Sequence, residues 1–241
     1  MTSYGDIVDY YDLLMEAGYY NHGELAKLIQ HEIGPRERVI ELGVGTGLLA
    51  EALLSLDPTY DFVGIDISAE MIEIARTRVS EEAEMIVCDI AEMQLGRKFD
   101  AAISNGGTWV IIRDGDQMQM GVHQFDPVKD LRGIKNLAEH LDPGGILILS
   151  VHPPHANRDL ELADGIVYSQ RIIKTDPTSS HHSIKKNYSF RKGDSILAEE
   201  EMTLSFYEKD IFMELFSKAN LEPRGYSETG EFFIFEKRAD S

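Results

Sequence analysis

The chain has 241 residues, 43% hydrophobic and 27% charged, a composition that excludes a disordered or fibrous protein and fits one large α/β domain. Its 42 acidic and 23 basic residues leave a formal net charge of −19, which disfavours nucleic acid and anionic membranes as partners. The single cysteine excludes an intrachain disulfide framework, no apolar run approaches the length of a membrane span, and residues 1–12 have no basic leader region, so we expect a cytoplasmic protein.

Two helices are predicted at the start of the chain, within residues 1–34. Ile7, Tyr10, Tyr11 and Leu14 recur at helical spacing, and the same spacing returns over residues 25–29. Gly34 and the proline after it end the pattern, because neither residue continues a helix well.

Strands and helices then alternate in the rhythm of a parallel sheet. Strands are predicted at residues 38–42, 61–65, 85–88, 99–104 and 146–151, and helices at residues 48–56, 69–79 and 127–141. The connection 107–126, after the fourth predicted strand, is unusually long. Its length favours a lid or a pocket wall.

The alternation of predicted strands and helices stops after residue 151, where His152 and two prolines interrupt the pattern. Residues 165–174, 184–191 and 195–207 read as strands, and the turn at residues 192–194 suits a hairpin between the last two. We interpret residues 152–206 as an antiparallel cap inserted into a single domain, 1–241. A helix at residues 210–219 and strands at 221–226 and 231–237 complete the predicted elements.

A glycine-rich loop joins the first predicted strand to the following helix, where an open α/β sheet exposes backbone amides to a ligand. Its pattern is G-x-G-x-G over Gly43, Gly45 and Gly47, and Leu48 stands where a dinucleotide fingerprint wants glycine or alanine. Glu41 precedes the loop and adds a negative charge that would repel a phosphate and hold an ammonium group. These features weaken a dinucleotide interpretation.

Acidic residues also end the second and third predicted strands. Asp66 follows Gly47 by nineteen residues, where a carboxylate can accept hydrogen bonds from both hydroxyls of a ribose. Asp89 is placed to accept a hydrogen bond from an adenine amine, with apolar side chains to cover the ring, namely Ile67, Met71 and Ile90. The alternatives are that each aspartate caps a helix and that Met71 packs in the core.

These motifs carry a resemblance. The segments ELGVGTG (41–47), DIS (66–68), CDI (88–90) and LDPGG (141–145) resemble the successive motifs of class I S-adenosylmethionine-dependent methyltransferases. The resemblance implies a seven-stranded, mostly parallel, doubly wound Rossmann-like sheet with an inserted antiparallel β cap. The cap is similar to that of small-molecule N-methyltransferases acting on amino sugars or glycine. No Asn/Asp-Pro-Pro-aromatic sequence follows Ser104, which disfavours nucleic-acid and protein amine methylation.

The resemblance also implies roles for individual residues around bound S-adenosylmethionine. The glycine loop would lie under the methionine moiety and Glu41 would face its amino group, while Asp66 would bind the ribose and Asp89 the adenine. Asn105 and Gly106 would contact the amino-acid end. Residues 11–13, Tyr-Asp-Leu, resemble the helix that closes over the cofactor in small-molecule members, with Tyr11 near the methionine carboxylate and residues 1–34 as a helical lid.

Candidate residues for the methyl acceptor lie beyond the fourth and fifth strands. An amine must lose a proton and a hydroxyl benefits from an acceptor, so histidines at this edge are candidate bases. We predict His152 and His123 as catalytic residues, and Trp109 and His155 as substrate contacts. The alternatives are loop histidines bonded to backbone, and a tryptophan that packs under the loop. No metal site is predicted, because two prolines deny helical spacing to His152 and His155.

The predicted function is methyl transfer from S-adenosylmethionine to a nitrogen or oxygen of a small molecule. Three other functions remain open from the sequence, one of which is a domain that senses the cofactor without catalysing a reaction. A lyase or cyclase could use the same cofactor site and attack a different carbon next to sulfur, and a NAD(P)-dependent oxidoreductase could use the glycine loop.

Overall fold

The computed structural model describes residues 7–123, 125–177 and 181–239, so the first six residues of the predicted lid lie outside the described part. The described helices are α1 (Val8–Leu14), α2 (His22–Ile33), α3 (Leu48–Leu56), α4 (Ala69–Arg78), α5 (Pro127–His140) and α6 (Lys209–Ser217). A π-helical turn, Met15–Tyr19, follows α1 and is kinked at Gly18, whose φ is 85°. None of the described helices is long and apolar enough to cross a membrane.

Thirteen strands form one hydrogen-bonded network in the described residues. They are β1 (Arg38–Leu42), β2 (Asp61–Asp66), β3 (Glu84–Val87), β4 (Phe99–Ser104), β5 (Val110–Asp114), β6 (Gln117–Val122), β7 (Leu141–His152), β8 (Arg158–Glu161), β9 (Ile166–Pro177), β10 (His181–Lys192), β11 (Ser195–Glu208), β12 (Leu221–Tyr226) and β13 (Phe232–Lys237).

Seven of these strands make the predicted central sheet. Their order is β3-β2-β1-β4-β7-β13-β12, in which the first five strands are parallel and β13 is antiparallel to both β7 and β12. The strand order reverses between β1 and β4, so the carboxyl ends of these strands flank a crevice, which is where ligands bind in open α/β sheets. The predicted doubly wound, mostly parallel sheet is confirmed.

The prediction of seven strands is too low, because the hydrogen bonding continues past the carboxyl end of β7. Val151 and His152 pair with Ile111 and Ile112 of β5, and the network runs on through β6, β11, β10 and β9 to β8. The connection 107–126 is therefore not a long open loop. It contains the hairpin of β5 and β6, whose turn has Gly115 at φ 58°. The Asp-Gly pair at this turn is a hairpin signal that the sequence analysis left unused.

Apolar side chains cover both faces of the central sheet, with α5 and α6 on one face and α2, α3 and α4 on the other. A third apolar cluster joins the first helix to the cap, where Ile7, Leu14 and Met15 pack with Tyr168 and Phe190 of β9 and β10. This cluster covers the space beyond the carboxyl ends of the central strands.

Candidate active site

The glycine loop between β1 and α3 is held tightly against neighbouring backbone. Gly43 donates a hydrogen bond to the Ile65 carbonyl at 2.8 Å, and a Cβ atom at Gly43 would lie only 2.7 Å from Gly107 Cα. Gly47 begins α3 with φ 82°, a left-handed conformation that glycine adopts without strain. The loop therefore requires glycine at Gly43, where neighbouring backbone leaves no room for a Cβ atom, and at Gly47, where the backbone is left-handed.

A large cavity of about 540 Å³ opens beside this loop and is lined by every residue that the resemblance assigned to the cofactor except Gly47. Those lining residues are Tyr11, Glu41, Gly43, Gly45, Asp66, Ile67, Met71, Asp89, Ile90, Asn105 and Gly106. Met71 is buried to 1% exposure and so serves the core as well, whereas Ile67 is 53% exposed beside the cavity. A single concave surface thus contains the ends of β1, β2 and β4 and the residues that follow β3.

Glu41 is a buried carboxyl group to which the described residues offer no counter-charge. Its side chain is 3% exposed, and its Oε2 atom has no hydrogen-bond partner in the described part of the chain. Burial, followed by repulsion from Asp66, raises the pKa of the Glu41 carboxyl well above its ordinary value. An ammonium group in the cavity would supply the missing partner, so the residue fits the amino end of S-adenosylmethionine.

The two strand-end aspartates are partly engaged with the protein. Asp66 accepts hydrogen bonds from the Gly45 and Ser68 amides, both at 2.9 Å, while Ser68 is the residue that caps α4. Asp89 accepts from the Ala91 amide at 3.0 Å, as a cap, and pairs with Lys129 at 2.7 Å. A carboxylate accepts about four hydrogen bonds, so both aspartates keep capacity for a ligand.

The first helix is tied directly to the glycine loop. Asp12 accepts a hydrogen bond from Thr46 Oγ1 at 2.7 Å and forms an ion pair with Arg78, which itself donates to the Thr46 carbonyl at 2.9 Å. The Tyr11 hydroxyl lies 4.0 Å from the position of a Cβ atom on Gly45. These contacts set the helix over the large cavity.

A second cavity of about 150 Å³ lies under the cap. It shares part of its lining with the large cavity, and this shared wall consists of seven residues: Tyr11, Tyr20, Asn105, Gly106, Gly107, Val122 and His123. Asn105 Oδ1 is buried and has no hydrogen-bond partner within the residues described. Two molecules, one bound in each cavity, would therefore come into contact at this shared wall.

The predicted catalytic histidines both line the cap cavity. His123 Nε2 lies 3.0 Å from the Gly107 carbonyl, which can only accept, so we assign the proton to Nε2 and the basic lone pair to Nδ1. His152 lies between Ser150 Oγ, 3.0 Å from Nε2, and the Tyr20 hydroxyl, 3.4 Å from Nδ1. Burial lowers the pKa of His123, and that of His152 to about 4, so both rings are neutral at pH 7.

The structure separates the two residues predicted as substrate contacts. His155 lines the cap cavity beside Lys186. Trp109 does not: its indole is 1% exposed, packs edge to face on Phe216 in the sheet core, and lies outside the lining of both cavities. The prediction that Trp109 walls the substrate site is corrected, because the residues after β4 turn its side chain inward, where Ser104 Oγ bonds its backbone.

Comparison with known proteins identifies the family. A family model described as a methyltransferase domain matches residues 33–220. The chain belongs to this methyltransferase family. The fold and family predicted from the motifs are confirmed. Among the described residues of this methyltransferase domain, no group of three or more His, Cys, Asp or Glu side chains is arranged to hold a metal ion.

Similar proteins include several methyltransferases of different kinds. The domain is 29% identical over 152 residues to a malonyl-[acyl-carrier protein] O-methyltransferase of Bacillus anthracis, covering 62% of this chain and 50% of that protein. It is 30% identical over 155 residues to a ubiquinone biosynthesis O-methyltransferase of Xanthomonas campestris, covering 61% and 55%. The chain thus spans about half the length of the curated relatives it matches.

Solved structures are similar over nearly the whole methyltransferase domain. DesVI of Streptomyces venezuelae has a TM-score of 0.70 at 17% identity, covering 96% of this chain and 98% of that one. CalS10, an amino pentose methyltransferase from Micromonospora echinaspora, has a TM-score of 0.68 at 15% identity, covering 94% and 96%. At these identities the similarity shows a shared fold, and the cap is part of it.

Lys186 is the residue of this site that the sequence analysis missed. It lies on β10 in the lining of the cap cavity and is 2% exposed. Its place among Ile184, Tyr188 and Phe190 is a usable signal, since alternate residues of a strand share a face and this face is otherwise apolar.

Proposed function

We propose that the chain transfers the methyl group of S-adenosylmethionine to a nitrogen or oxygen of a small molecule held under the cap. The observation that carries the proposal is the shared wall, where the large cavity meets the cap cavity. Methyl transfer is an in-line displacement, so its first requirement is that two ligands meet at close range in an enclosed space. The described residues of the predicted lid, 7–34, and of the cap, 152–177 and 181–206, would supply that enclosure.

The residues of the large cavity match the cofactor group by group. Glu41 would pair with the ammonium of the methionine moiety, above the glycine loop, and Tyr11 would contact its carboxylate. Asp66 and Asp89 keep acceptor capacity for the ribose hydroxyls and the adenine amine. Ile67, Met71 and Ile90 would cover the adenine faces, and Asn105 and Gly106 would contact the amino-acid end. This carboxylate-rich surface also disfavours the phosphates of NAD(P).

When bound, the cofactor supplies an electrophilic methyl group on a positively charged sulfur. An acceptor nitrogen or oxygen that took this methyl group would have to give up a proton. His123 Nδ1 is the basic atom in the shared wall, so we assign it that proton. His152, hydrogen-bonded to Ser150 and near Tyr20, would position the acceptor, and His155 lies in the lining of the same cap cavity.

Calorimetry tests the proposed ligand. S-adenosylhomocysteine should bind, whereas NAD and NADP should not, because Glu41 and Asp66 face the place that phosphates would need. Tight binding of either dinucleotide without any response to S-adenosylhomocysteine would overturn the proposal.

Product analysis tests the reaction. Incubation with labelled cofactor and a library of small amines and phenols should release S-adenosylhomocysteine and place the label on the acceptor. Release of methylthioadenosine would instead assign lyase chemistry, since attack would then occur on the aminobutyryl carbon.

A further inference from the structure

The cap cavity contains a buried amine that the proposed methyl transfer leaves without a role. Lys186 is 2% exposed in a cavity otherwise lined largely by apolar and aromatic side chains. Burying an unpaired ammonium is costly, and lysine is almost never fully buried without a partner. Burial lowers the pKa of Lys186 to about 7, so a modest stabilisation of the charged form would restore the ammonium.

The neighbours of Lys186 offer hydrogen bonds and no counter-charge. Nζ lies 3.0 Å from His155 Nδ1 and 3.3 Å from Gln170 Oε1, and it stands 4.9 Å from the centre of the Tyr188 ring. No carboxylate of the described residues lies within ion-pair distance of this nitrogen. The amine therefore has polar contacts that orient it, and none of the described residues supplies a negative charge to neutralise it.

Several elements bring titratable side chains close to Lys186. The segment after β7 contributes His155, β7 contributes His152, and the residue after β6 is His123; all three are neutral or, when charged, repel an ammonium. On β11, Met202 stands directly opposite Lys186, and the acidic Glu200 stands opposite Tyr188. The titratable groups lining the cavity beside Lys186 are thus bases and phenols.

We propose that the methyl acceptor carries a carboxylate and that Lys186 binds it, with His155 as a neighbouring donor. This inference rests on the proposed function, since the same cavity must hold the acceptor. Since the chain is acidic overall and the described residues leave this buried amine without a counter-charge, the site should favour a small anion over a neutral ligand. A cavity of about 150 Å³ accommodates a ligand the size of one aromatic ring, so we expect a single-ring or similarly sized carboxylic acid.

Matched neutral and charged probes test this inference. Benzoate and phenylacetate, each with its primary amide, would be titrated calorimetrically into the 241-residue protein saturated with S-adenosylhomocysteine. We expect at least one acid to bind tenfold or more tightly than its amide. At pH 8, titration in two buffers of different ionisation enthalpy should show proton uptake with the acid, because the bound carboxylate recharges Lys186.

Two variants separate binding from packing. Lys186→Met keeps the length of the side chain and removes the charge, so it should abolish the acid preference and the proton uptake. Lys185→Met is the matched control, because Lys185 is the adjacent lysine, is 42% exposed and pairs with Glu201 on the surface. It should leave both quantities unchanged.

The outcomes distinguish this inference from the proposed function. Failure of S-adenosylhomocysteine to bind would overturn the proposed function itself. Binding of S-adenosylhomocysteine with amides equal to acids, with no probe bound at all, or with the acid preference retained in Lys186→Met would overturn the role of Lys186 alone. The comparison of acid with amide in the unaltered protein needs no variant, so it stands even if Lys186→Met folds poorly.

Discussion

Replacing Lys186 by methionine should raise the free energy of unfolding of the ligand-free protein near neutral pH. This gain should decrease as the pH rises. The folded protein holds the pKa of this amine at about 7, against an ordinary value of 10.5. A depressed pKa on a base means that the unfolded chain binds more protons between these values. The unaltered protein therefore gains stability with rising pH through that window, relative to the variant.

The size of this effect follows from the two pKa values. At pH 7, Lys186 is fully protonated in the unfolded chain and half protonated in the folded chain. The shift in pKa therefore lowers the free energy of unfolding by about 4 kcal/mol at pH 7 and by about 2 kcal/mol at pH 9. Loss of the hydrogen bonds to His155 and Gln170 reduces the gain from the substitution. That loss does not vary over this range, because burial, followed by repulsion from Lys186, puts the pKa of His155 at about 3.

The measurement is the free energy of unfolding by guanidinium at pH 7, 8 and 9, for the unaltered protein and for Lys186→Met. The difference between the two should shrink by about 2 kcal/mol from pH 7 to pH 9. Lys185→Met, with its side chain in solvent, should differ from the unaltered protein by less than about 1 kcal/mol throughout. A constant difference between the unaltered protein and Lys186→Met would refute the reasoning, because the lysine would then titrate alike in both states.

Three further predictions concern the proposed cofactor site and the shared wall. Glu41→Gln should weaken S-adenosylhomocysteine binding tenfold or more in calorimetry, because a neutral amide cannot form an ion pair with the ligand ammonium. It should not lower the melting temperature, because burial already disfavours the charged form of this carboxyl in the ligand-free protein. Unchanged affinity would contradict the ammonium assignment. Asp12→Ala should raise the dissociation constant of S-adenosylhomocysteine about tenfold, because the first helix loses its ion pair with Arg78 and its hydrogen bond to the glycine loop. Glu51→Ala, which removes the exposed second partner of Arg78, should leave this constant unchanged. His123→Ala should lower kcat about 100-fold with little change in cofactor affinity; full turnover would mean that proximity alone drives the reaction.

The strand ends were predictable because they depend on local sequence. Glu41, Asp66 and Asp89 follow short apolar runs, and parallel strands bring their carboxyl ends to one edge whatever the details of packing. Glycine positions such as Gly43 were predictable for the same reason. All four of these positions therefore lie in the lining of the large cavity.

Trp109 and the hairpin after β4 were not predictable in the same way. The sequence places Trp109 beside the crevice, but Ser104 and the core around Phe216 decide that its ring turns inward. The hairpin adds β5 and β6 to the sheet because Val151 and His152 extend β7 beyond its last pairing with β4. These outcomes depend on contacts between segments far apart in the chain.

By itself, the sequence determined the family, the parallel core and the acidic edge that faces the proposed cofactor, because hydrophobic period and turn residues act over a few positions. Only the tertiary structure decided that Lys186 is buried and Lys185 is not. Strand alternation puts them on opposite faces, but which face is covered depends on the first helix and the β5–β6 hairpin, which close the cap cavity from elsewhere in the chain. The burial of Lys186, and with it the charge state of its amine, therefore depends on how these distant segments pack together.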